Sequence, residues 1–416
     1  MDIIIGAGVT GLSYANFTKN DYVILEMDSE IGGYCKTIKQ DGFVWDYSGH
    51  FFHFNDEKIK SYIFERMDKQ EIFTVEKKTQ IYYKDTYIDF PFQKNIHQLP
   101  KDEFIDCLYD LYHRPDVEEN TFKDMLLSKF GQAISDKFLI PYNEKLYACD
   151  LDTLDKDAMG RFFPYADIED IVENFKKQSV ESYNSSFVYP EGGAIEYVKA
   201  LAKEVADEKI ILNNSVIGID IENKIVTTTS GDTFSYDNLI TTMPFNKLLQ
   251  LVQLDNKIDV YTSNQVLVFN LGFDSGAPTE NHWIYYPSKE YIFYRIGLYN
   301  NIFDSNRMSL YVEIGQQSGE SIEDEEVLLS KVLADLKRVG IVTNQNLVSH
   351  AFLVMDPAYV HVNEASDSDM KEKMALLNKK DIYSVGRYGA WRYCSIEDNI
   401  LEAKSLAKTI NNKRIK

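Results

Sequence analysis

The first forty residues contain a glycine pattern that could hold a dinucleotide. Gly6, Gly8 and Gly11 have the spacing G-x-G-x-x-G between a hydrophobic strand and a helix. In such a turn the first glycine permits the bend, the second lets the backbone approach a pyrophosphate, and the third allows helix and sheet to pack closely. Glu26 ends the second predicted strand, where a carboxylate can bind ribose hydroxyls. Because strand, helix and Glu26 accompany the triplet, we expect it to bind the ADP half of a dinucleotide.

A second glycine turn favours one of the two common dinucleotides. Gly32 and Gly33 follow soon after Glu26, where a flavin enzyme lets its chain pass close to the diphosphate. NAD-binding domains usually continue there with another helix and strand. The sequence therefore predicts FAD as the cofactor.

The composition excludes several classes of protein. The 416 residues carry a formal net charge of −21, and a surface this acidic repels nucleic acid and anionic lipid. No run of about eighteen apolar residues occurs, so we expect no membrane span, and the N-terminus has no signal-peptide pattern. The four cysteines are scattered, which argues against a disulfide framework or a zinc site and predicts a cytoplasmic protein. An anionic substrate would therefore need a few specific arginines.

The predicted elements divide the chain into three parts. Residues 100–177 have a helical pattern, including one long helix at 121–139, and residues 259–354 alternate as antiparallel strands do, with one strand at 292–294. We predict an α/β fold, a Rossmann-like FAD-binding domain with an inserted helical domain and an antiparallel β-sheet domain. The predicted boundaries are 1–75, 185–245 and 379–416 for the FAD-binding domain, 94–184 for the helical domain, and 76–93 and 246–378 for the sheet domain.

Longer motifs resemble those of a known family, the UDP-galactopyranose mutases. They follow the family order from residue 3 to about 405, so the resemblance covers nearly the whole chain. The N-terminal motifs are shared with amine oxidases and desaturases, while the later ones are more specific and closest to the eukaryotic-type mutases. The motifs occupy residues 26–33, 46–53, 91–95, 141–147, 189–193 and 386–393.

The resemblance implies a reaction as well as a fold. The family interconverts the pyranose and furanose rings of a nucleotide sugar through a flavin N5–sugar adduct, with no net redox change. It therefore implies FAD in its reduced form, a UDP-sugar substrate, NAD(P)H or another reductant, and a role in surface glycan biosynthesis. Assembly into a homo-oligomer stays open.

The resemblance also assigns roles to individual residues. His50 matches the family's histidine beside the flavin, and Arg161 and Arg295 match arginines that bind the diphosphate. These three are the predicted catalytic residues. Further residues expected to contact the cofactor are Gly49, Val216, Gly386, Arg387 and Ser395. Residues expected to contact the substrate, besides the two arginines, are Phe90, Gln93, Asn143, Tyr147, Tyr286, Tyr359 and Tyr393.

Some positions depart from the family pattern. Phe90 and Ile302 stand where tyrosines are usual, and Tyr147 stands where a tryptophan is usual. These positions belong to the implied substrate site. The sugar could therefore differ from galactose.

Two other functions stay open on the sequence. An FAD-dependent oxidoreductase of the amine oxidase or protoporphyrinogen oxidase type, acting on a nucleotide sugar or an amine, would share the N-terminal motifs. It does not explain why Arg161, Arg295 and Gln93 occur together. A flavin-binding protein without catalysis, serving a glycan-assembly complex, is disfavoured because His50 and Arg295 are retained.

Overall fold

Two β-sheets organise the computed structural model, which describes residues 1–176, 186–254 and 256–413. The first sheet has five strands, all parallel, and its central strand is the N-terminal one. In spatial order the strands are Ile382–Ser384, Asn238–Thr241, Asp2–Ile5, Tyr22–Leu25 and Ile210–Ile211. Because the sheet draws on the start, the middle and the end of the chain, it confirms the predicted Rossmann-like part.

The parallel sheet is buried on both faces. Ile3, Ile4, Ile24 and Ile240 have no exposed surface, as expected of continuous apolar strands in a parallel sheet. The helices Val9–Phe17 and Ile396–Lys413 pack against each other beside this sheet.

The second sheet has seven strands and is mixed. All neighbours run antiparallel except Trp283–Tyr285, which runs parallel to Thr79–Tyr83. In spatial order the strands are Leu347–Met355, Asn264–Phe273, Ser309–Gln317, Arg295–Leu298, Trp283–Tyr285, Thr79–Tyr83 and Thr86–Asp89. Five of the six pairings between neighbouring strands are antiparallel, so the predicted antiparallel sheet is confirmed except at one parallel pairing.

The predicted strand at residues 292–294 is wrong, because these residues lie in bends before the strand Arg295–Leu298. The cause is Lys145, whose Nζ donates hydrogen bonds to the carbonyls of Tyr286, Ser288, Tyr291 and Phe293, at 2.5–3.0 Å. Carbonyls that converge on one ammonium group are unavailable for regular strand pairing. The loop is thus shaped by a side chain distant in sequence.

The helical region is less regular than its pattern predicts. The helix Phe122–Ile134 is capped by Thr121 and is interrupted at Gly131, which has φ +74°. A π-helical turn, Ser135–Leu139, joins it to the helix Ile140–Tyr147. The predicted single helix at 121–139 is therefore broken. The other helices of this region are Lys101–Tyr112 and Ile168–Asn174, and the predicted domain end at 184 lies outside the described residues.

The remaining elements connect these parts. The other strands are Thr37–Gln40, Phe43–Asp46, Ile72–Glu76, Ser186–Pro190, Val216–Asp220, Ile225–Thr228 and Thr233–Ser235. The other α-helices are Glu57–Phe64, Ile195–Ala202, Phe245–Leu251, Asn300–Phe303, Glu325–Arg338, Glu364–Asn378 and Gly386–Gly389. The short 3-10 turns are Phe92–Lys94, Ile96–Gln98, Leu151–Thr153, Gly160–Phe162, Asp207–Lys209 and Ile258–Val260. Within the described ranges, no helix combines the length and apolar character needed to cross a membrane.

We predict that Lys145→Met lowers the free energy of unfolding by about 3 kcal/mol, because it leaves four carbonyls without their donor. Urea denaturation followed by circular dichroism measures this loss. Lys289→Met is the matched control, because Lys289 is 71% exposed in its ion pair with Glu144 and should change stability by less than about 0.5 kcal/mol. Equal losses in the two variants would contradict the structural role of Lys145.

Candidate functional site

A cavity of about 1460 Å³ is lined by both sheets and by the helical region. Small-molecule sites usually occupy roughly 300–1000 Å³, so this cavity has room for two ligands. Gly8, Glu26 and Val216 line it together with His50 and Arg295. Residues predicted to bind cofactor and residues predicted to bind substrate therefore share one cavity.

The glycine turn forms a cradle of backbone atoms. The nearest atoms to a Cβ added on Gly8 would be backbone atoms of Gly32 and Gly33, at 3.9 Å. A Cβ on Gly11 would overlap the carbonyl of Gly6, so Gly11 serves packing and does not line the cavity. The Glu26 carboxylate accepts hydrogen bonds from the N–H groups of Ala7 and Asp28, at 2.7 and 2.9 Å. The glycine turn exposes backbone N–H groups that suit the diphosphate of FAD, and the hydrogen-bonded Glu26 carboxylate suits its ribose.

His50 enters the cavity as a neutral group. Burial, together with the nearby Arg387 guanidinium, lowers the pKa of His50 to about 4. Its Nδ1 is buried and has no hydrogen-bond partner among the described residues. At pH 7 His50 is thus an uncharged imidazole, able to form a hydrogen bond with a ligand.

Arg387 lies in an aromatic enclosure. Its guanidinium is 4.5 Å from the ring centroid of Tyr393 and 5.2 Å from that of Tyr359. The two tyrosine rings stack at 5.8 Å with an interplanar angle of 10°. Arg387 donates to the carbonyls of Ala358 and Cys394, at 3.3 and 3.5 Å. These three predicted residues therefore form one cluster, and the arginine keeps its full charge because its partners are neutral.

Arg295 is paired with a buried carboxylate. It lies opposite Glu313 on the neighbouring strand, and its Nε and one terminal nitrogen donate to the two Glu313 oxygens, at 2.5 and 2.8 Å. Glu313 is 1% exposed and also accepts a hydrogen bond from the Ser48 hydroxyl. The pair ties the mixed sheet to the segment that carries His50.

Arg161 is paired across the cavity from the helical region. It lies on the turn Gly160–Phe162, and its guanidinium donates to Asp398 at 2.6 Å. Asp398 also accepts from the backbone and hydroxyl of Ser395, both at 2.9 Å. With the Asp398 N–H, which donates to the Ser395 hydroxyl at 3.1 Å, these bonds form a capping box at the start of the last helix. The ion pair joins the turn that carries Arg161 to that helix.

Three predicted substrate residues do not line the cavity. Tyr286 is buried in the mixed sheet beside Tyr82 and Phe293. Gln93 is also buried, and its amide donates to the Pro164 carbonyl. Tyr147 is 1% exposed and packs against Tyr359. For Tyr286 the reason is strand alternation, since neighbouring residues on a strand point to opposite faces.

Other predicted residues do line the cavity. Phe90 and Asn143 belong to its wall, and the Asn143 amide donates to the Leu139 carbonyl at 2.7 Å. The Oδ1 atom of Asn143 is buried without a partner among the residues that the structure describes. The remaining lining residues from the prediction are Gly6, Gly8, Glu26, Gly32, Gly33, Gly49, His50, Arg161, Val216, Arg295, Tyr359, Gly386, Arg387, Tyr393 and Ser395.

The cavity residues that the motifs did not indicate include Tyr285, Glu313 and Lys77. Tyr285 faces the cavity in place of Tyr286 and lies opposite Arg295 in the sheet. Glu313 belongs to none of the sequence motifs. The alternation of side chains along its strand is the one local feature that could have put it on the same face as Arg295. Lys77 lines the cavity beside Phe90, and no local signal distinguishes it from the exposed Lys78.

Comparisons with known proteins agree with this architecture. The model of the flavin-containing amine oxidoreductases matches residues 12–411. A solved structure of reduced UDP-galactopyranose mutase is similar with a TM-score of 0.91 and 22% identity, covering 98% of this chain and 93% of that one. A protein provisionally assigned as a protoporphyrinogen oxidase, from Exiguobacterium sp. 255-15, has a TM-score of 0.77 and 17% identity, covering 99% and 98%. A fatty acid isomerase from P. acnes has a TM-score of 0.68 and 15% identity, covering 98% of each chain.

We predict that Glu313→Gln lowers the free energy of unfolding by about 3 kcal/mol, because Arg295 then remains as an uncompensated buried cation. Replacing both partners, Arg295→Met with Glu313→Leu, should cost less than the single change, because no buried charge is left alone. Urea denaturation of both variants tests this order. A double variant less stable than E313Q would contradict it.

Proposed function

The chain belongs to the family of flavin-containing amine oxidoreductases, and we propose that it acts as an FAD-dependent nucleotide-sugar mutase. In this proposal it interconverts the pyranose and furanose rings of a UDP-sugar without net redox change, for surface glycan synthesis. The observation that carries the proposal is that Arg161 and Arg295 line the same cavity as His50 and the glycine turn. Guanidinium groups suit a diphosphate, because their planar donors bind phosphate oxygens in pairs.

FAD is the cofactor in this proposal, as in the family. Gly8 and Glu26 would hold its ADP half, and His50 and Arg387 would contact the flavin. When bound and reduced, the flavin supplies the nucleophile that displaces the nucleoside diphosphate from the sugar. NAD(P)H or another donor would provide the reducing electrons.

The chain supplies positive charge for a reduced flavin anion. Ser395 and Ile396 line the cavity where the last helix begins, and a helix N-terminus carries partial positive charge. Arg387 adds a full charge, since its hydrogen-bond partners are carbonyls. His50 stays neutral at pH 7, so it can bond to the flavin without changing the charge balance.

The arginines would hold the leaving group during the reaction. Arg295 is fixed by Glu313 and can orient the diphosphate, while Arg161 lies on a turn and is 53% exposed. Tyr285, Tyr359 and Tyr393 line the cavity near Arg295 and Arg387, and their hydroxyls are donors for phosphate oxygens. A nucleoside diphosphate that stays bound can rejoin the sugar after the sugar ring has opened and closed.

The proposal predicts that turnover depends on the redox state of the flavin. Purified protein should be yellow, and after dithionite reduction it should convert a UDP-sugar into its ring isomer. A panel of nucleotide sugars, separated by anion-exchange chromatography, identifies the sugar. Oxidised protein that consumes a substrate with oxygen and releases peroxide would instead support the oxidase alternative.

The site assignment predicts that Arg161→Ala and Arg295→Ala each weaken UDP binding by at least about tenfold, because each removes a charged donor to phosphate. Flavin content, measured from absorbance, should stay unchanged in Arg161→Ala. Arg295→Ala should also be less stable, because the Glu313 carboxylate loses its partner, so its UDP affinity is expressed per flavin-loaded protein. Arg338→Ala is the control, since Arg338 is 52% exposed and pairs with Asp335 on its own helix. Wild-type UDP affinity in both test variants would overturn the assignment.

A further inference from the structure

The two arginines proposed for the diphosphate are already compensated in charge. Arg295 is bound by the Glu313 carboxylate at 2.5 Å, and Arg161 is bound by Asp398 at 2.6 Å. Each pair therefore presents donors to a ligand but little net charge. Arg387 keeps its charge but is assigned to the flavin in the proposed function. A diphosphate, which carries at least two negative charges, therefore needs a further cation in this partly desolvated cavity.

Lys77 lies where such a cation would act. It connects the strands Ile72–Glu76 and Thr79–Tyr83 and lines the cavity. Its ammonium is 5.3 Å from the ring centroid of Phe90 and 5.5 Å from that of Trp283. It is also close enough to Arg295 for the two charges to repel each other. The amine therefore belongs to the substrate part of the cavity.

Lys77 has no anionic partner among the residues in the described ranges. Its ammonium lies over two aromatic rings, and such cation–π contacts replace only part of the lost hydration. Other shielded lysines differ, because Lys36 is bound to Asp28 at 2.5 Å and Lys145 to four carbonyls. A partly buried ammonium group without an anionic partner lowers the stability of the folded protein. We therefore infer that a bound ligand supplies the anion.

We propose that Lys77 is a third phosphate-binding residue. It supplies net positive charge, whereas the charges of Arg161 and Arg295 are neutralised by their carboxylate partners. This inference rests on the proposed function, since it takes the ligand to be a nucleoside diphosphate attached to a sugar. Lys77 would contact the diphosphate from the side of the mixed sheet that carries Phe90 and Trp283. The two arginines would then orient the phosphates, and Lys77 would compensate their charge.

The electrostatic surroundings of Lys77 support this role. Burial, with a smaller effect of Arg295, lowers the pKa of Lys77 to about 8. The other titratable group facing it is His53, whose pKa is lowered to about 4, so that it is neutral above pH 6. An anion bound beside Lys77 raises the lysine pKa again, because it favours the charged form. Binding above pH 8 must therefore take up a proton.

The test compares ligands of increasing charge on the oxidised, FAD-loaded protein. Isothermal titration calorimetry measures the binding of uridine, UMP and UDP at pH 7 to wild type and to Lys77→Met. The Kd of UDP should rise by about tenfold to a hundredfold in K77M, because a charged partner of the phosphates is lost. The Kd of uridine should change by less than about twofold, since uridine has no phosphate.

Two control variants separate charge from shape. Lys78→Met changes the neighbouring lysine, which is exposed and pairs with Glu280 at 2.5 Å, and should bind UDP as wild type does. Lys77→Arg keeps a charge that does not titrate below pH 12 and should restore most of the UDP affinity. Thermal unfolding of ligand-free K77M should occur no lower than in wild type, because a poorly solvated charge is removed. If Lys77 had a purely structural role, its replacement would instead lower the unfolding temperature.

The pH dependence gives an independent readout. Between pH 7 and pH 9 the fraction of charged Lys77 falls about tenfold in the empty site, so the Kd of UDP for wild type should rise on the order of tenfold. In K77R the Kd should stay flat apart from the titration of UDP itself, which both proteins share. The same slope in both proteins would overturn the role of Lys77.

The outcomes distinguish this inference from the function on which it rests. UDP affinity in K77M equal to wild type, with UDP bound by wild type, overturns the role of Lys77 alone. Uridine affinity lost as strongly as UDP affinity overturns it as well, because the lysine would then serve the nucleoside. Wild-type protein that binds neither UDP nor UMP overturns the proposed function together with this inference.

Discussion

The buried ion pair between Arg295 and Glu313 links the parts of the molecule that form the cavity. Its partners lie opposite each other on neighbouring strands, and Glu313 also binds Ser48, two residues before His50. A buried pair is tolerated only when its geometry is good and its other atoms are hydrogen-bonded. The pair therefore forms only when the strands have this register and when the segment that carries His50 places Ser48 next to Glu313. A shift of one residue would turn Arg295 or Glu313 to the opposite face.

The cavity must attract anions within a strongly acidic protein. The formal charge of the chain is −21, so long-range electrostatics oppose an anionic ligand. The cavity is lined by cationic side chains, among them Arg161, Arg295, Arg387 and Lys77. Arg161 and Arg295 pair with carboxylates, Arg387 donates to backbone carbonyls, and Lys77 contacts aromatic rings. The partner of each cation thus decides how much charge it offers a ligand.

The cavity is also assembled from distant parts of the chain. The turn Gly160–Phe162 belongs to the helical region, yet Arg161 bonds to Asp398 at the start of the last helix. Phe162 packs against Tyr393 at 5.0 Å beside the same contact. These contacts bring the helical region against the FAD-binding part.

Local sequence patterns determined the elements and the cofactor turn. The spacing of Gly6, Gly8 and Gly11 and the apolar strand before them specify a turn whose chemistry depends on neighbours within about twenty residues. The helix Glu325–Arg338 is likewise specified by local features, namely its periodicity and its N-cap. The family resemblance placed His50, Arg161 and Arg295, and all three line one cavity.

Tertiary structure decided which face and which partner each residue has. Only the strand pairing shows that Tyr285, and not Tyr286, faces the cavity, since a one-residue difference reverses the face. Only the fold brings Asp398 to Arg161, across 237 positions of the chain. Lys77 and Lys78 are alike in sequence, yet one lies in the cavity and the other pairs with Glu280 at the surface. Charge compensation depends on distances in space, and local sequence spacing does not encode them.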